Sequence, residues 1–186
     1  MNVSEMIEAA HEQAVKSGFW DDLTRIGFQI DMNDEPSEEM KTVENMAVAQ
    51  KLALISTEIM EFEVEASRLP RNRDAMLEEL ADVVIRIFDL AGYLRLPIAN
   101  SVLKGRLHLY STATGVALAL YRNVATAVQA HRKEETTRVL TSLEDAVRVA
   151  QDFAAYTFED SYALVRAIEM KMEKNRSRPH KHNASY

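Results

Sequence analysis

Two short carboxylate pairs stand in otherwise apolar surroundings. Glu58 and Glu61 lie three residues apart within KLALISTEIMEFEVEA, and Glu79 and Asp82 lie three apart within EELADVVIRIFDLAGYL. On an α-helix that spacing puts both acids of a pair on one face, within reach of each other. Val83, Val84, Ile85, Ile87 and Phe88 follow Asp82, so the second of these helices has little polar surface and takes its acids inside with it. A buried carboxylate must lose its charge, find a partner or bind a cation, because uncompensated burial is costly on any scale. Four acids on two facing helices make an all-oxygen site, which suits Mg2+ or Mn2+. The competing reading is that Arg86 and Lys51 neutralise these acids as ordinary ion pairs.

The elements that must position these residues are helices. With five Gly, four Pro and abundant Ala, Glu, Leu and Met, composition points to an all-α fold: an antiparallel bundle of about five to six helices in a single domain over residues 1–186. One acidic pair belongs to a helix from about Thr42 to Ser67, whose core line is Leu52, Ile55, Ile59, Phe62 and Ala66. Lys51, Glu58, Glu61 and Glu65 share a neighbouring line. The other pair belongs to a helix capped by Asn72 or Asp74 and running to Gly92, with Glu79, Asp82, Arg86 and Asp89 on one stripe. The link from Leu69 to Arg73 is short, so the two helices are antiparallel neighbours. Glu61 lies about nine residues before Pro70 and Glu79 about nine after it, which sets the two pairs at one depth from the turn.

Ser4 is the expected cap of a first helix that runs to Ser17 and is stopped by Gly18. Trp20 then sits beside Asp21 and Asp22, either as a core residue or as a platform for a ligand's base. Residues 29–41 read as a polar loop. A small-residue helix over Thr112 to His131 and a second one from Glu134 or Glu135 to Ala155 form an extra pair, with Thr141, Ser142, Glu144 and Asp145 on the wet side of the latter. A last helix starts near Phe158 to Ser161 and ends at Asn175, and the tail 176–186 is basic without a core pattern.

Several function classes drop out. The absence of Cys excludes disulfides, zinc-thiolate sites and thiol nucleophiles. A formal charge of -7 argues against a general nucleic-acid binder, although the last sixteen residues carry Lys171, Lys174, Arg176, Arg178 and Lys181 against Glu173 alone. No apolar run reaches membrane-spanning length, and the first residues lack a signal-peptide layout, so no membrane partner and a cytoplasmic location are expected. His11, His108 and His131 are isolated and read as surface or satisfied core residues, and His180 and His182 as polar tail. There is no Gly-rich phosphate loop and no Ser-His-Asp pattern.

In their order along the chain, the ExxE pair, the short turn, the ExxD pair in ELADVVIRIFDLAG and the terminal KMEKNRSRPHKH resemble the MazG-like family of all-α nucleoside triphosphate pyrophosphohydrolases, related to the dimeric dUTPases and the dCTP pyrophosphatases. The likeness covers Lys51 to Leu94 and Glu169 to His182, with HEQAVKSGFWDD adding weaker support. It implies a Mg2+-dependent enzyme that cuts a nucleoside triphosphate between its α and β phosphates. Glu58, Glu61, Glu79 and Asp82 match the family's metal-binding acids. In such a mechanism one of the glutamates takes the proton of the attacking water, and Glu61 is the expected one, although sequence does not separate base from ligand. Lys171, Asn175 and Arg178 match the residues that assist with the triphosphate, and Trp20 is similar to an aromatic near the nucleobase. Lys171 and Asn175, four apart, do share a helical face. Two departures stand out: Thr57 precedes Glu58 where the family has a second acid, and the interval between the ExxD pair and the tail is long. The extra helices either replace packing from a second subunit or build a dimer interface, and a homo-oligomer, dimer or tetramer, is expected. The rival classes are a non-catalytic helical interaction module and a di-iron carboxylate bundle, the latter needing Glu-x-x-His pairs that neither Glu58 nor Glu79 begins.

Overall fold

A computed structural model of the chain describes residues 1–23, 38–70, 72–104 and 112–176, and every regular element within them is helical. The elements are α1 (Val3–Lys16), α2 (Glu38–Ser67), α3 (Arg73–Tyr93), a 3-10 turn (Asn100–Leu103), α4 (Ala113–Arg132), α5 (Thr136–Phe158) and α6 (Ala163–Arg176). The all-α bundle expected from composition is therefore the architecture observed, and none of these helices is long and apolar enough to cross a membrane.

The antiparallel pair α2 and α3 is the centre. Leu52, Ile55, Ile59 and Phe62 of α2 and Val83, Val84, Ile87 and Phe88 of α3 are fully buried in one continuous apolar cluster. Each such side chain contributes roughly 1.5–3 kcal/mol by leaving water. The α4–α5 hairpin packs on this pair, α4 against α2 and α5 against α3, with Phe62 and Phe153 edge to face at 5.8 Å. Helices α1 and α6 pack on α3.

Local chemistry sets the helix ends, and several differ from the reading above. Asn2, not Ser4, caps α1: its side chain accepts from the Glu5 amide at 3.0 Å, and Glu5 accepts in return from the Asn2 amide at 2.9 Å. This reciprocal pair satisfies two otherwise open donors, which a serine two positions later would leave exposed. Gly18 does terminate the following turn, at φ 82°. Helix α2 already includes Glu38, ahead of Thr42, whose hydroxyl donates to the Glu38 carbonyl at 2.8 Å. Asn72 caps α3 by accepting from Ala75 at 3.1 Å, and Thr112 caps α4 by accepting from Gly115 at 3.2 Å. Helix α5 continues to Phe158 and closes on Glu159 at φ 53°, so the stretch expected to begin the last helix ends the previous one. Asp160 then accepts from the Tyr162 amide at 2.8 Å and pairs with Arg166, which starts α6 at Ala163. Ser142 is buried, not on the wet side of α5, because its hydroxyl is satisfied by the Arg138 carbonyl at 2.8 Å.

Candidate functional site

The two acidic pairs meet. One carboxylate oxygen each from Glu58, Glu61 and Glu79 falls within 4.8 Å of the others. The cause is the register between α2 and α3: the short link sets the pairs at equal depth, and each pair occupies one helical face. Asp82, the fourth acid, lines the same cavity but accepts from the Lys171 ammonium at 2.7 Å. The cavity, about 350 Å3, is lined by α1 through Ala10, Gln13 and Ala14, by Phe19, by the four acids with Arg86 and Asp89, and by Lys171 and Asn175 of α6.

The competing ion-pair reading holds only in part. Arg86 donates from Nε to Glu58 at 2.9 Å. Lys51 instead donates to the Phe19 carbonyl at 2.5 Å and lies 4.4 Å from the Trp20 ring centroid. Glu61 and Glu79 have no ion-pair partner among the described residues. Five carboxylates and two cations line the cavity, so its wall carries a formal excess of three negative charges.

That excess shows in the acid strengths. Burial raises the Glu79 carboxyl above its ordinary value; Lys171 pulls it partly back, and Asp82, Glu61 and Glu58 push it up again. Burial also raises Asp82, against the hydrogen bond and charge of Lys171. Burial by itself lowers Lys171, but the bond to Asp82 and the charges of Asp82, Glu79 and Glu78 outweigh it and hold the ammonium form.

A hard divalent cation fits these residues. The converging donors are all carboxylate oxygens, and no histidine belongs to the cluster among the described residues. In the same lining, the side-chain oxygen of Asn175 is buried without a hydrogen-bond partner among the described residues. An open buried acceptor in the lining of an acidic cavity is the kind of group that a bound cation or its water satisfies.

Trp20 is not a wall of this cavity. Only 4 % exposed, it donates from Nε1 to Asp89 at 2.8 Å and stacks on Tyr93 at 4.2 Å. Its indole N–H needs a buried acceptor, which Asp89 supplies, and among the described residues the aromatic that lines the cavity is Phe19. Arg178 and the tail histidines lie outside the described residues, as does His108. His11 is satisfied by Asp89 at 2.9 Å, whereas half-buried His131 keeps a buried Nε2 without a partner among the described residues. Sequence reasoning gave no role to α1, although Ala10 and Ala14, four apart, are the small pair that lets the helix form a cavity wall. Compared with family models, with curated proteins and with solved structures, the chain finds no match.

Proposed function

We propose that the chain is a MazG-like nucleoside triphosphate pyrophosphohydrolase, converting an NTP or dNTP and water into the monophosphate and pyrophosphate. The observation that supports this reading most is the lining of one cavity: converging Glu58, Glu61 and Glu79 share it with Lys171, Arg86 and Asn175. Acids and basic side chains in one cavity match a polyphosphate held between a cation and those bases. Mg2+, or Mn2+ in its place, supplies charge neutralisation and polarisation of the phosphate oxygens when bound.

Glu58, Glu61 and Glu79, whose oxygens converge, would hold that ion, with Asp82 joining them once Lys171 leaves it. Glu61, the exposed member of the cluster, accepts the proton of the attacking water as its oxygen bonds to phosphorus. The α–β bridging oxygen leaves with pyrophosphate, carrying the bonding electron pair. Lys171 turns from Asp82 to the departing phosphates, Asn175 donates from Nδ2, and Arg178, outside the described residues, is the third phosphate-binding residue that the resemblance implies. Trp20 supports the site from behind by holding Asp89. The enzyme acts in the cytoplasm, as a homo-oligomer, in cleaning nucleotide pools.

The test is a panel of common and modified nucleoside triphosphates incubated with Mg2+ or Mn2+, with pyrophosphate and phosphate release measured separately. Pyrophosphate release is the expected result, falling about 10²- to 10⁴-fold in Glu61→Gln. Inertness toward the whole panel would remove the enzymatic reading in favour of a non-catalytic module.

A further inference from the structure

The cavity's two cations are bound in different ways. Lys171 is 8 % exposed and contacts two acids, Asp82 at 2.7 Å and Glu78 at 3.6 Å. Arg86 holds Glu58 through Nε alone, at 2.9 Å. Its terminal nitrogens make no hydrogen bond among the described residues, which leaves four N–H donors in a group that lines the cavity. The guanidinium carbon lies 4.8 Å from the centroid of Phe19, so the group rests on an aromatic face and not in a cage of acceptors.

We infer that Arg86 is an exchangeable counter-ion: it occupies Glu58 in the metal-free site and moves to phosphate oxygens when cation and polyphosphate enter together. The inference rests on the metal and phosphate reading given above. Glu58 belongs to the converging triad, yet a carboxylate already bonded to a guanidinium is a weaker ligand, and two positive groups on one carboxylate repel. A guanidinium cannot withdraw by losing its proton. It must find another anion, and the one that arrives with the cation is the polyphosphate. Phe19 provides a surface on which the planar group can turn without losing its packing. Arg86 thus couples the two ligands: a cation alone competes with it for Glu58, whereas cation and polyphosphate together satisfy both Glu58 and Arg86.

Mn2+ binding, followed by electron paramagnetic resonance, tests this on the full chain. Arg86→Met keeps the aliphatic stem against Phe19 and removes the charge, and it should bind Mn2+ alone about tenfold more tightly than the wild type. Calorimetry with inorganic pyrophosphate at saturating Mn2+ should show the reverse order, with the variant weaker by about tenfold. Loss of a nearby positive charge tightens a cation in any case, so the exchange itself is read from the wild-type resonance below, and unchanged or weaker Mn2+ binding in Arg86→Met overturns the inference while leaving the metal site in place. If neither protein binds Mn2+, both the inference and the reading beneath it fall. The wild type gives a check that does not depend on a variant folding: the Nε–H resonance of Arg86 should move when Mg2+ and pyrophosphate are added. A resonance indifferent to both overturns the exchange.

Discussion

At Glu79, burial and three neighbouring acids all disfavour the charge that metal binding requires. Its folded-state pKa is raised above the unfolded value, so the folded form holds the proton more tightly. Stability therefore falls as pH rises from the ordinary carboxylate value through the raised one, and Asp82 contributes in the same sense. Lys171 does not cancel this, because a raised ammonium pKa gives a contribution already complete at neutral pH and lost only in strong base. Glu79→Gln should accordingly stabilise the metal-free protein at pH 8, raising Tm by roughly 1–3 °C after allowance for solvent screening. The difference from wild type should shrink toward about pH 5. Thermal melts in chelator at both pH values measure it, and a lower Tm for the variant at pH 8 would show that Glu79 has a cation partner. The same substitution should abolish Mn2+ binding, a separation of stability from function typical of sites that gather like charges.

Among the elements, Gly92 shows what a helix pattern reveals and what it hides. Reading it as the stop of α3 followed from the usual place of glycine at helix ends, but the helix continues through it to Tyr93. What glycine provides here is space. A Cβ at this position would meet the His11 Cβ at 2.6 Å and the Ile7 carbonyl at 3.3 Å, atoms of α1 that cannot swing aside. Gly92→Ala should therefore shift α1 and cost about 1–3 kcal/mol, less the gain in helix propensity. His11 and Trp20 both bond Asp89, so the emission of the chain's only Trp should change with it; unchanged emission and Tm would mean that the crossing is looser than these distances. Existence, order and core faces of the helices were legible because each is long and periodic. The ends were less so, since the choice of Asn2 over Ser4 and the close of α5 at Glu159 turn on one or two hydrogen bonds between near neighbours.

At the scale of the whole molecule, the chain divides its work between two sides of the α2–α3 pair. Among the described residues the cavity is lined from α1, α2, α3, α6 and the turn after α1, and neither α4 nor α5 contributes a side chain. The acids were legible in the sequence because the helical repeat and a short link fix their mutual placement. The assignments of Trp20 and Lys51 were not, because both depend on how the turn after Gly18 folds beneath α1, which no periodicity encodes. The role of α4 and α5 is then to bury the far face of the pair: Leu120 and Leu143 are fully enclosed, and Phe153 closes on Phe62. Leu143→Ala, deep in that half, should cost about 2–5 kcal/mol by the transfer and cavity terms together. Its Mn2+ affinity, measured well below its lowered Tm, should stay within about twofold of wild type, since distant sites without shared partners are nearly additive. A folded Leu143→Ala protein that no longer bound Mn2+ would show instead that the α4–α5 hairpin sets the spacing of the acids, and the two sides would have to be treated as one unit.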